Sequence, residues 1–96
     1  MENYHEPHDQ LSNDTKDYAR AMVSLTEEIE AVDWYQQRLD VTTDQQLKKI
    51  LMHNRDEEIE HACMLLEWLR RNMDGWDEQL HTYLFTKKDI TKVEKA

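Results

Sequence analysis

The chain has 96 residues with one glycine, one proline and one cysteine, and its 21 acidic against 12 basic residues give a formal net charge of −9. A chain this short fits one small domain that association often completes, and its charge repels a nucleic-acid backbone with no basic stripe to offset it. No stretch is long and apolar enough to span a bilayer, and the lone Cys63 forms no internal disulfide, which suits a reducing compartment.

The polar opening from Met1 to Gln10 holds no signal-peptide core, so cytoplasmic synthesis without export is expected. The spacing of Leu11, Tyr18, Met22, Leu25, Ile29, Val32 and Leu39 then predicts a first helix over about 8–39. Pro7 suits its first turn, while Ser12, Asn13 or Asp14 serves as a later cap. Val41-Thr42-Thr43 is a connection short enough to send the next helix back antiparallel. Thr43-Asp44-Gln45-Gln46 reads as a capping box, opening a second helix over about 44–73. Arg70, Arg71 and then Gly75 read as its stop, with Gly75 as a left-handed terminator. Trp76, Leu80, Tyr83 and Leu84 predict a short third helix over about 76–85, followed by a weakly ordered tail over 86–96. The expected fold is a single all-α domain over 1–96, an antiparallel two-helix hairpin with a short C-terminal helix. Two such hairpins cover each other's apolar stripes by dimerising into a four-helix bundle.

Polar residues interrupt the rows that should face inward. On the first helix, Ala21, Leu25, Glu28, Val32, Tyr35 and Leu39 alternate at spacings of four and three. On the second, Leu47, Leu51, Asn54, Glu58, His61, Leu65 and Trp68 do the same. A carboxylate aimed into a packed bundle is costly unless paired or bound to metal. Glu58 and His61, three apart, project from one helix face and can reach one metal together. Ferritin-like di-iron bundles use two Glu-x-x-His motifs and two further Glu residues. This chain supplies half of that set in Glu28, Glu58 and His61, and a two-fold dimer supplies the whole. Oxygen and imidazole donors suit Fe, and also accept Ca, Zn, Mn or Co as surrogate metals.

Several neighbours admit two readings. Glu27 and Glu30 flank Glu28 either as a solvated face or as an outer acidic ring that passes cations inward. Asp33 on the first helix and Glu57 and Glu60 on the second also surround the triad, and Asp33 and Glu60 read as solvated. Trp34 and Tyr35 read as core aromatics, although Tyr35 shares the row of Glu28 and is placed to hydrogen-bond a ligand. Cys63 lies in a polar row and is not expected to ligate. His53 lines a dimer face or is exposed, and His5, His8 and His81 carry no pattern. The residues alone also admit a non-catalytic metal-binding or metal-sensing helical dimer, and a metal-free module whose buried polar groups set helix register.

The run from Glu27 to Tyr35, the run from His53 to Ala62, Leu66 to Asn72, Thr82 to Thr86 and the early His5-Glu6-Pro7 together resemble the encapsulated ferritins over nearly the whole chain. The resemblance implies a half-ferritin whose homodimer forms a ferritin-like four-helix bundle and assembles into a ring-shaped homodecamer. It implies a ferroxidase that oxidises Fe(II) to Fe(III) with oxygen, feeding iron storage inside an encapsulin nanocompartment in the cytoplasm. By the same resemblance Glu28, Glu58 and His61 are ligands of a di-iron centre built from two chains. Glu27 and Glu30 match an outer site where iron enters, and Trp34 and Tyr35 match aromatics beside the centre. Members of that family carry a C-terminal shell-docking peptide, and none is recognisable before Ala96.

Overall fold

The structure, a computed structural model, describes residues 4–93. The expected tail therefore lies partly outside the described residues, as do the first three residues of the chain. A short 3-10 turn at His8–Gln10 follows Pro7, and helix α1 then runs over Asn13–Val41. The first helix thus begins later than its apolar spacing implies. The reason is Ser12, whose hydroxyl accepts the Thr15 N–H at 3.1 Å and whose own backbone is extended. At the other end α1 continues past Asp40 to Val41, and the Thr42 N–H closes it on the Arg38 carbonyl at 3.0 Å.

Helix α2 occupies Gln45–Asn72. Its cap is Asp44, not the Thr43 expected from the capping box: the Asp44 carboxylate accepts the Leu47 N–H at 2.8 Å. A carboxylate satisfies a free amide and also complements the positive helix terminus, so it outcompetes a neighbouring hydroxyl. Gly75 is likewise reassigned. Helix α2 ends before it, with the Met73 N–H on the Leu69 carbonyl at 2.8 Å. Gly75, at φ +101°, instead opens helix α3 over Trp76–Tyr83. A second 3-10 turn at Ile90–Lys92 is capped by Asp89, and Val93 after it is buried.

Helices α1 and α2 pack as the antiparallel hairpin that the short connection requires, and α3 packs on α2. Two cross-helix ties hold the hairpin. Near the open end the Tyr18 hydroxyl donates to the Asn72 carbonyl at 3.0 Å, and the Tyr18 and Trp68 rings meet edge to face at 6.3 Å. Nearer the loop, Arg55 donates to Gln36 at 2.8 Å. The fully buried interior is slight: among the described residues Ala21, Leu39, Leu69 and Val93 are the buried apolar ones, and of these only Leu69 reaches zero exposure. Ile29, Trp34, Leu47, Ile50, Met64 and Trp68 stay exposed on the two long helices. A two-helix layer has one inner seam and cannot cover more than a fraction of both apolar stripes.

Candidate metal centre

Between the two ties, at the middle of the hairpin, the polar rows meet. Glu28 of α1 and Glu58 of α2 stand equally far from the loop, so the antiparallel arrangement sets them side by side. His61, one turn after Glu58, lies over the same face. The Nδ1 atom of His61 is 3.6 Å from Glu28 Oε2 and 3.7 Å from Glu58 Oε2. One ligand atom from each residue falls within 4.8 Å of the others. Two donors sharing an ion with bonds of about 2.1 Å stand roughly 3 to 4.2 Å apart. Both imidazole–carboxylate separations fall inside that range, and a small side-chain rotation closes the rest. The donor set therefore fits a divalent cation that accepts oxygen and nitrogen ligands.

The triad is half-buried. The Glu28 and Glu58 side chains keep 24% of their surface and His61 keeps 40%. The hairpin supplies a floor for the site and leaves its other side open, where the sequence rows anticipate a packed bundle.

The other residues singled out from the sequence are placed unequally. Glu27 and Glu30 are exposed on α1 beside Glu28. Trp34 is 52% exposed and Tyr35 is half-buried. The Arg38 guanidinium lies over the Tyr35 ring, 5.3 Å from its centroid. Among the described residues, the Tyr35 hydroxyl makes no hydrogen bond to Glu28, Glu58 or His61. Asp33 is exposed and accepts a hydrogen bond from Gln37, and Cys63 is exposed.

One residue that periodicity leaves on the margin comes into contact. Glu57 Oε2 lies 3.8 Å from Nε2 of His61, and its Oε1 lies 3.6 Å from Nε2 of His53. The signal for it is the four-residue spacing of His53, Glu57 and His61, which places all three on one face of α2. A groove of about 530 Å³ between α2 and α3 is lined by Leu66, Leu80, Leu84 and Phe85 among others and contains none of the triad. Concavity alone would point away from the place where the ligating groups converge.

Three comparisons bear on this geometry. Residues 3–87 match the family model described as EncFtn-like. A ferritin-like protein of Thermotoga maritima is 63% identical over 92 residues, covering 96% of this chain and 81% of that protein. An encapsulated ferritin-like protein of Rhodospirillum rubrum is 59% identical over 92 residues, and the match spans 96% of this chain and 66% of that longer relative. A crystal structure of a Nitrosomonas europaea protein superposes with a TM-score of 0.88 at 55% identity, covering 93% of this chain and 98% of that one. With a helical hairpin of that shape and a carboxylate–imidazole triad at its middle, the chain belongs to the EncFtn-like family of encapsulated ferritin-like proteins.

Proposed function

We propose that the chain is a ferroxidase whose site is completed by a second copy. The observation that carries this reading is the convergence of Glu28, Glu58 and His61 at the centre of the hairpin, within 4.8 Å of one another. Two copies facing each other contribute four carboxylates and two imidazoles, the donor set of a two-iron site. Iron is here the substrate. Each of two Fe(II) ions gives up one electron, and the pair of electrons passes to oxygen with protons taken from solvent. The chain's own part is to hold two cations close together and to supply negative charge that favours the Fe(III) product.

Association is supported by the surface. The chain exposes 7843 Å², whereas a compact monomer of 11.7 kDa exposes about 5,900 Å² by the usual scaling. Exposed Leu47, Ile50, Met64 and Trp68 line the same face of α2 as His61, so a partner that covers them also closes the site. In this reading Glu27 and Glu30 form an outer acidic station where iron enters, while Trp34 and Tyr35 lie beside the paired centre. The homodimers assemble further into a ring, expected to be a decamer. The family, and the name of the Rhodospirillum rubrum relative, support a place inside an encapsulin shell that stores the product. No helix among the described residues is long and apolar enough to cross a membrane.

The test is aerobic addition of Fe(II) to the purified protein, followed by ferric absorbance, beside Glu28→Ala, Glu58→Ala and His61→Ala. The reading predicts rapid oxidation by the wild type and a loss of about 100-fold or more in each variant. Rates in all four samples equal to the protein-free blank would sink it. Metal binding without oxidation would favour the non-catalytic metal-binding dimer instead.

A further inference from the structure

His61 has a second ring nitrogen that the triad does not use, and its surroundings carry an inference that rests on reading His61 as a ligand. Nδ1 faces the space between Glu28 and Glu58, at 3.6 and 3.7 Å. Nε2 points away from it, toward Glu57 Oε2 at 3.8 Å. Glu57 is approached from its other side by Nε2 of the largely exposed His53, at 3.6 Å.

An imidazole ligates only through a nitrogen that carries no proton, and its neutral ring has a single proton to place. Two carboxylates beside Nδ1 draw that proton to the nitrogen that has to ligate. A carboxylate beside Nε2 draws it the other way. We propose that Glu57 is a positioning residue for His61: its carboxylate accepts the Nε2–H, which frees the Nδ1 lone pair for the metal and fixes the plane of the ring. The separation of 3.8 Å is an ion-pair distance. A small rotation of the half-buried Glu57 side chain brings it to hydrogen-bonding length. Ligating histidines in metal sites commonly donate their other N–H to a carboxylate, and loss of that partner weakens metal binding even where every ligand is intact.

The test uses Co(II) alone as probe, titrated anaerobically into wild type, Glu57→Gln, Glu57→Ala and His61→Ala and followed by its visible ligand-field bands. Glutamine keeps an acceptor oxygen for Nε2–H and loses the charge; alanine loses both. Affinity is expected to fall about tenfold or more in Glu57→Ala with altered bands, and to stay within about threefold of wild type, with wild-type bands, in Glu57→Gln. Thermal unfolding of the metal-free proteins is expected to be alike, separating positioning from folding. Wild-type affinity and bands in Glu57→Ala would overturn the proposal. So would a Glu57→Gln as weak as Glu57→Ala, since that makes Glu57 a direct ligand or a bare charge. A His61→Ala variant that binds Co(II) as wild type does would instead remove the ligand reading itself, whatever Glu57 does.

Discussion

The chemistry of this chain is concentrated in three side chains that a folded interior would otherwise exclude. Glu28 and Glu58 bring two carboxylates to one imidazole, with no Lys or Arg among the described residues paired to either. Such an arrangement costs stability until a metal neutralises it. Glu28→Gln is therefore expected to leave the metal-free protein unchanged or to stabilise it by up to about 1 kcal/mol. The same variant should lose the stabilisation that Zn(II) confers on the wild type, about 2.7 kcal/mol at a hundredfold excess over the dissociation constant. Thermal unfolding with and without Zn(II) reads both effects, and a metal-free Glu28→Gln that melts well below the wild type would make Glu28 a structural residue. The triad was legible from sequence because Glu28, Glu58 and His61 break apolar rows of strict three-and-four spacing. Glu57 was legible as one of the acids around the triad, but its contact with His61 was not, because on a helix an acid four residues from a histidine looks like any solvated pair until the ring's orientation is known.

At the scale of elements, periodicity located the helices and their order, while local competition decided their ends. Asp44 displaces Thr43 as a cap, and Gly75 opens α3 where the sequence pattern made it close α2. Neither outcome follows from composition: the first depends on which of two adjacent side chains takes the free amides, the second on α2 closing at Met73, before the glycine is reached. Charge crosses the α2–α3 joint at Arg70. Arg70 donates to both oxygens of Glu67, at 2.6 and 2.8 Å, and also to Asp77 of α3; Arg71 adds a further bond to Glu67 at 2.6 Å. These guanidinium bonds hold the Glu67 carboxyl down from its ordinary 4.5 to about 2, and the two carboxylates raise Arg70 above its usual range. A carboxyl lowered on folding contributes fully above its unfolded value and loses that contribution as pH falls through the folded one. The Glu67–Arg70–Arg71 cluster in the last turn of α2 should therefore hold above about pH 4.5 and loosen progressively toward pH 2, whereas Arg70→Ala removes the bond to Asp77 and should loosen the α2–α3 joint at neutral pH. Because Glu67 and Arg70 are partly exposed, solvent screens both effects and keeps them local to the end of α2 and to α3. Hydrogen exchange of the amides over Trp76–Tyr83 is the check: faster exchange in Arg70→Ala with unchanged α1 is expected, and identical exchange would assign the joint to Leu80 and Trp76 packing.

The whole molecule is elongated for its size. Its radius of gyration is 17.3 Å, against about 12.5 Å for a compact chain of this length. With four buried apolar residues among those described, the hairpin has little interior of its own. The half-buried triad and the exposed apolar residues around it lie on one face, so covering that face and completing the site are the same event in the proposed pair. Sequence counting reached the triad and the uncovered apolar stripes, but not which residues of each row face outward, because a row that faces a partner and a row that faces the chain's own core have the same spacing. The most direct test of a shared site is anaerobic titration with Fe(II) followed by native mass spectrometry, on the wild type and on Glu58→Ala. The account predicts two iron ions per pair of chains, found only in even-numbered assemblies and lost in the variant. Iron carried by a single chain, with no shift toward pairs or larger rings, would contradict it.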